Sequence, residues 1–279
     1  MRFFCISAGT DLAVERLRNA CEKLGVEFVM LEPLTYDFLQ PNPTASGDLL
    51  YRVDTTVAAR ALEKFLLHPK LRTFYPTYHR GMSASTHNTS LFMQLGIAQP
   101  KTYPLLHQSH RLLKTYVDDL GGFPIIIKAL GGSHGVGVIR VDSFPSLFSI
   151  TDYLSQQNVT AVLRQYIHAK GHARLIVMGD RVIGSIEYIN PDGDFRSNIG
   201  TTPNVAAKDF PEHIKKLAID SIRARQLEFG GVDIMIDDTT GNGYVLEVNF
   251  PCFFPRVEDA AHIDIATQMV QYLLGKQGS

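Results

Sequence analysis

Apolar and polar positions recur along this chain with two periods, and their order predicts a mixed α/β protein. Residues 2–8 form a short apolar strand. Residues 11–24 (DLAVERLRNACEKL) repeat apolar positions every three or four residues up to Gly25, the spacing of an amphipathic helix. Strands follow at 26–31 and 48–53, and a helix at 57–67. Strand and helix taking turns in this way predict a small lobe on a mainly parallel sheet. Over 68–85 the pattern breaks into HPKLRTFYPTYHRGMSAS, polar and aromatic with two prolines, which suits a linker and equally one wall of a cleft.

Periodicity then predicts helices at 86–95, 108–119 and 144–156, with strands at 101–105, 125–128 and 136–139. Strands at 161–167, 174–178 and 181–188 come next, the last two joined by the tight-turn pair Gly179-Asp180, with another turn at 190–193. After a helix at 209–228, GGVDIMID and YVLEVNF alternate in strand fashion and form a hairpin about 239–243, and 262–274 forms an amphipathic helix. No internal repeat or low-complexity stretch interrupts this order.

With 279 residues, 45% of them apolar and 20% charged, the chain can bury a large core. Its 27 basic and 28 acidic residues leave a net charge of −1, which excludes a bulk positive field and with it nucleic acid as the main partner. Any anion site must come from a few focused residues. Cys5, Cys21 and Cys252 are scattered, odd in number and free of any CxxC, as expected of reduced thiols in a cytoplasmic protein. The first two lie in apolar periodic segments and are expected in the core. The stretch MRFFCISAG is too short for a signal peptide, and no run reaches the ~18 apolar residues of a membrane helix, so no membrane partner is expected.

Two constellations carry chemistry. The first is Phe123 to Asp142, FPIIIKALGGSHGVGVIRVD, where Lys128 closes a β-branched run and four glycines fall within residues 131–137. Glycine lets the backbone approach a guest closely and turn its N–H groups toward it, and a phosphate is the natural guest. Gly131, Gly132, Ser133, His134 and Gly135 are therefore candidate phosphate contacts. Lys128 reads either as a strand-end lysine reaching solvent or as a nucleotide contact, and the loop after it favours the second. The loop matches neither GxxxxGK[ST] nor GxGxxG, so neither the P-loop nor the dinucleotide fingerprint applies.

The second constellation is the C-terminal hairpin. Residues two apart on a strand share a face, so Glu247 and Asn249 point the same way while Leu246 and Val248 are expected to pack inward. The hairpin brings Asp233 or its neighbours opposite them. A solvated hairpin face would account for such residues, but Asp and Asn are depleted in strands, and the two acids repel unless a cation lies between them. Hard oxygen donors on one rigid face are what Mg2+ requires, with nucleotide phosphates and water completing its shell.

Taken in order, the strand ending in Lys128, the glycine loop, VLRQYI, the strand opened by Arg174, DGDFRSN, GVDI and LEVN resemble the ATP-grasp ligases. More closely they resemble the RimK-like branch, which joins glutamate or another amino acid to a carboxylate. The resemblance covers about residues 85–275 and rests most on Asp194–Asn198 and Glu247–Asn249; the segment 48–54 is similar, more weakly, to that branch's N-terminal domain. It implies an α/β fold of α+β lobes: a parallel pre-ATP-grasp domain at 1–85, a central ATP-grasp lobe at 86–163 and a C-terminal lobe at 164–279. It further implies that Lys128 touches an α- or β-phosphate and that loop 131–137 closes over the triphosphate. Gln165, Tyr166 and Ile167 would form a hinge whose backbone meets adenine. Asp233, Glu247 and Asn249 would hold two Mg2+ ions, with Mn2+ as a substitute. Arg196, Arg174 and Asn198 would act on the transferred phosphoryl group and the acyl oxyanion.

The chain also departs from that family. Ser85 stands where a second ATP-contacting lysine is usual, His172 where an acidic residue near the ribose is common, and Gln165 where the hinge carries glutamate. Phe250-Pro251-Cys252-Phe253-Phe254-Pro255 replaces the small turn that flanks the substrate, which implies a different or more apolar acceptor. Cys252 within it reads as a packed thiol or as a substrate contact. The activity implied is an ATP- and Mg2+-dependent carboxylate–amine ligase working through an acyl phosphate. Its partners would be an amino acid and a carboxylate on a small molecule, a peptide or a protein terminus. An ATP-grasp kinase and a non-catalytic ATP-binding module are the alternatives, and the apolar C-terminal helix is a candidate for homo-oligomer contacts.

Overall fold

The computed structural model describes residues 1–78, 89–105, 109–130, 135–196 and 203–276. Strands β1 (Arg2–Ile6), β2 (Glu27–Leu31) and β3 (Leu49–Arg52) form a parallel sheet in the order β2-β1-β3. Helix α1 (Leu12–Lys23) starts where the Asp11 side chain accepts the Val14 N–H, and α2 (Val57–Leu66) starts likewise at Thr56. Alternation along β1 sends Phe3 and Cys5 to the α1 side and Phe4 and Ile6 to the α2 side, so both faces are buried, as a parallel sheet requires.

Helix α3 (Thr89–Gln94) leads into the second sheet, built from β4 (Thr102–Leu105), β5 (Ile125–Ala129), β6 (Val138–Val141) and β7 (Ala161–Gln165) in the antiparallel order β4-β7-β5-β6. Helices α4 (His110–Asp119) and α5 (Phe144–Gln156) back one face, packing Leu113, Val117 and Leu147 on Ile125, Ile127 and Leu163. The alternate residues Ile126, Lys128, Val138 and Arg164 are thereby left on the other face.

The third sheet runs β10-β9-β8-β11-β12, antiparallel throughout, from β8 (Gly171–Met178), β9 (Arg181–Ile189), β10 (Val205–Ala207), β11 (Phe229–Ile236) and β12 (Gly243–Asn249). Helix α6 (Glu212–Ala224) covers it with Ile214, Ala218 and Ile222. Helices α7 (Pro255–Ala261) and α8 (Ile265–Gly275) close the chain. Ile176, Met178, Ile186, Tyr188 and Phe229 from this sheet share one core with α1, α8 and the first sheet.

Several expectations change. The apolar face of α8 (Ile265, Ala266, Met269, Val270 and Leu273) is spent inside the chain against α1, so it is not available to a second copy. The strand expected at 174–178 begins at Gly171, which draws His172 into the sheet, and the strand expected at 161–167 ends at Gln165. The helix expected at 209–228 begins only after Pro211, and β10 and α7 are too short to show a period. Leu246 does not pack inward. Asp233 pairs with Glu247 and Ile234 with Val245, so Leu246 is the extra residue of a bulge and turns toward a cavity. The expectations for Ser85, Gly131, Gly132, Ser133, His134 and Asn198 lie outside the described residues. No helix among the described residues is long and apolar enough to cross a membrane.

Candidate active site

A cavity of about 710 Å3 lies between the free face of the second sheet and the third sheet, within the roughly 300–1,000 Å3 usual for ligand sites. Five cations, Lys128, Arg164, Arg174, Arg196 and Arg256, line it against two carboxylates, Asp233 and Glu247. In a chain of net charge −1 this is a focused anion site, which low-dielectric walls strengthen.

Its floor follows from strand register, which sets Arg174 opposite Asp233 and Asp233 opposite Glu247. Arg174 holds Asp233 bidentately, Nε to Oδ1 at 2.7 Å and Nη2 to Oδ2 at 2.6 Å. Burial pushes the Asp233 carboxyl up, but the Arg174 guanidinium and its hydrogen bonds outweigh burial and hold it below the usual carboxylate range. Asn249 Nδ2 donates to Glu247 Oε1 at 3.0 Å and to Asp233 Oδ2 at 3.3 Å. Burial, and then the Asp233 charge, push Glu247 above the usual range. Among the described residues its nearest cation is Lys128, whose Nζ lies 4.0 Å from Oε2 and comes from the opposite sheet.

This donor set suits a hard cation. Glu247 is a carboxylate short of positive charge, and turning the Asn249 amide presents its oxygen to the same point. Asp233 gives one hydrogen-bonding direction of each oxygen to Arg174, and turning the Asn249 amide frees the second direction of Oδ2, so it can serve a metal only beside that guanidinium. No cluster of three or more His, Cys, Asp or Glu among the described residues could hold an ion alone, so amide and ligand oxygens would have to complete its shell.

At the cavity mouth Arg196 pairs with Asp194, Nη2 to Oδ2 at 2.7 Å, and donates from Nη1 to the Gly135 carbonyl at 3.3 Å, joining the third sheet's loop to the glycine loop. Gly137 closes that loop with a φ of +81°, and a Cβ there would stand 3.0 Å from the Ala129 Cβ. At the opposite end Gln165 donates its backbone N–H to the Lys101 carbonyl at 2.9 Å. Tyr166 lies under the Arg140 guanidinium, 5.1 Å from ring centroid to carbon, and Ile167 is buried; all three line the cavity.

Residues not expected from the sequence also line it. Arg164 donates from Nε to Thr102 Oγ1 at 3.1 Å, and no carboxylate among the described residues pairs with it, although every Asp and Glu of the chain is described. Burial draws its pKa down. Its place one residue before the hinge, alternating with core Leu163, was a usable signal. Tyr188 stacks on His172 at 4.5 Å between ring centroids and accepts from Arg256 Nη1 at 3.1 Å, which no local pattern announces. Cys252 is a packed thiol: it does not line the cavity, and burial pushes it up to about 12.

A family model for the RimK-like ATP-grasp domain matches residues 84–273. The chain belongs to the RimK-like ATP-grasp family. It is therefore an ATP-dependent ligase that forms carbon–nitrogen bonds between a carboxylate and an amine. Among relatives of this RimK-like protein, the ribosomal protein bS6–L-glutamate ligase of Escherichia coli O81 (strain ED1a) is 27% identical over 284 residues, 95% of this chain and 92% of that one. Its fold is that of the ATP-grasp ligase PsnB complexed with minimal precursor, Mg and ADP, at a TM-score of 0.74 and 13% identity over 98% of this chain and 97% of that one. It is likewise that of the macrocyclase MdnC bound with precursor peptide MdnA from Microcystis aeruginosa MRC, at 0.72 and 14% over 99% and 100%.

Proposed function

We propose that this RimK-like protein transfers the γ-phosphoryl group of ATP to a substrate carboxylate and couples the acyl phosphate to the amine of glutamate or another amino acid, in the cytoplasm. The supporting observation is the pairing of five cations with two carboxylates in one cavity that two lobes enclose. In the first step a carboxylate oxygen attacks the γ-phosphorus and ADP leaves. In the second the amine nitrogen attacks the acyl carbon, inorganic phosphate leaves, and the nitrogen loses a proton. Lys128 and Arg164, with residues 131–135, hold the phosphates, and the backbone of Gln165, Tyr166 and Ile167 meets adenine. Arg174, Arg196 and Asn198 face the transferred phosphoryl and the oxyanion.

Glu247 and Asn249, with Asp233 beside its arginine, are the residues that would hold Mg2+, as one or two ions with Mn2+ as substitute. The metal, when bound, neutralises phosphate charge. The protein's own work is positioning and fixed charge, and it needs no covalent nucleophile. That agrees with a buried, protonated Cys252. The division into a pre-ATP-grasp domain at 1–85, a central lobe at 86–163 and a C-terminal lobe at 164–279 belongs to the same proposal; one sheet falls to each apart from the end of β7. The carboxylate on a peptide or protein terminus is supported by the relatives' stated partners, bS6 and precursor peptides.

ADP release by the purified protein with Mg2+-ATP, across amino acids and carboxylates offered singly and in pairs, tests this. Release that requires both a carboxylate and an amine and disappears in Glu247→Ala supports the ligase. Release with a hydroxyl compound alone would mark a kinase, and ATP binding without turnover under any pair would mark a binding module.

A further inference from the structure

Arg256 enters the cavity from α7 and, like Arg164, differs from the other three cations there. Lys128 approaches Glu247, Arg174 is bidentate with Asp233, and Arg196 is held by Asp194. Arg256 donates from Nη1 to the Tyr188 hydroxyl at 3.1 Å, and its guanidinium carbon lies 5.8 Å from that ring's centroid. No Asp or Glu among the described residues pairs with it, and the chain has none elsewhere. A guanidinium carries five donors in a fork that matches a carboxylate, and one of them is used here among the described residues.

Sheet order sets this cation apart from the Glu247 end. Tyr188 on β9 pairs with His172 on β8, Arg174 on β8 with Asp233 on β11, and Asp233 with Glu247 on β12. Three strand steps of about 4.8 Å separate the Tyr188 and Glu247 backbones by roughly 14 Å. A ligand on Arg256 would sit over β9, at the end of the sheet away from Glu247. Phe253, three residues earlier, also lines the cavity and is 43% exposed there. A partly exposed ring and a guanidinium without a carboxylate partner, lining one cavity, suit a molecule with a carboxylate and an apolar group. The second carboxylate of glutamate would lie against that ring.

We infer that Arg256 and Phe253 bind the amino-acid substrate, Arg256 taking its α-carboxylate and Phe253 an apolar side chain, in preference to glutamate. The inference rests on the ligase reading above and narrows its amine substrate. Calorimetric titration of the full chain with Mg2+ and the ATP analogue AMPPNP comes first. L-leucine, L-phenylalanine, L-glutamate and L-leucinamide are then titrated with and without the nucleotide. Leucine or phenylalanine is expected to bind, with glutamate and leucinamide about tenfold weaker or worse, since one lacks a cation for its second charge and the other lacks the carboxylate. Arg256→Met is expected to weaken leucine by about tenfold, with partial recovery in Arg256→Lys, and to leave AMPPNP unchanged. Phe253→Ala, which removes no buried group, is expected to narrow the gap between leucine and glutamate. Glutamate binding tighter than leucine and phenylalanine, unchanged leucine binding in Arg256→Met, or no amino-acid binding where AMPPNP binds would each overturn the inference. Amino-acid binding without AMPPNP binding would keep the subsite and sink the ligase reading.

Discussion

Arg174 and Asp233 face each other across β8 and β11, and the guanidinium holds both carboxylate oxygens at 2.7 and 2.6 Å. The two side chains are 13% and 6% exposed, so removing either leaves the other buried with its charge uncompensated. Such a loss costs about 3–5 kcal/mol. Arg174→Met and Asp233→Asn are each expected to lower the unfolding free energy by about 3 kcal/mol, read from urea unfolding. The double variant should lose less than the sum, because neither charge is then stranded. Full additivity would show that the pair does not act as a unit.

Lys128 and Arg164 project from one face of the second sheet toward the phosphate end. Lys128→Ala and Arg164→Ala are each expected to weaken AMPPNP binding by about tenfold, the worth of one charge-assisted contact. Calorimetry checks this, and unchanged affinity in Arg164→Ala would remove that arginine from the phosphate site.

Glu247 is a carboxylate that burial and Asp233 make reluctant to ionise. Replacing it with glutamine removes that unfavourable charge, so Glu247→Gln is expected to melt above the wild type when no ligand is added. The same variant should lose the rise in melting temperature that Mg2+-ATP gives the wild type, because binding stabilises only the folded state. Thermal unfolding with and without Mg2+-ATP separates the two effects.

Asp48 supplies the pH prediction. It accepts from Arg2 Nη2 at 2.7 Å, the Arg2 N–H at 3.1 Å and the Ala45 N–H at 2.8 Å. Burial pushes its carboxyl up, but these donors outweigh burial and hold it below its ordinary 3.8. A depressed folded pKa contributes stability that is complete above the ordinary value and lost as pH falls through the folded one. Asp48→Asn is therefore expected to cost about 2 kcal/mol at neutral pH. The gap from wild type should close as pH drops below the ordinary value. Urea unfolding across that range reads it, and a gap constant down to acid pH would contradict the assignment.

Much of the site could be found from the chain order. Lys128 ends a β-branched run before glycines, and Glu247 and Asn249 stand two apart on one strand, because strand alternation is a local property of the backbone. The turn alone would set Asp233 opposite Leu246, and the bulge sets it opposite Glu247. Arg164, alternating with core Leu163, belongs to the same class of signal. Leu246 was misplaced because a bulge shifts alternation by one residue, and the bulge depends on how two strands pair.

Element types, the parallel first lobe and the family motifs follow from periods and turn residues that act over a few positions. Contacts across long stretches do not. Arg256 meets Tyr188 across 68 residues of sequence, and whether α8 faces a second copy or its own chain depended on α1 packing over it. Local geometry limits which faces are apolar. Which faces then meet is settled by the burial of apolar area across the whole chain, and burial has no period in the sequence.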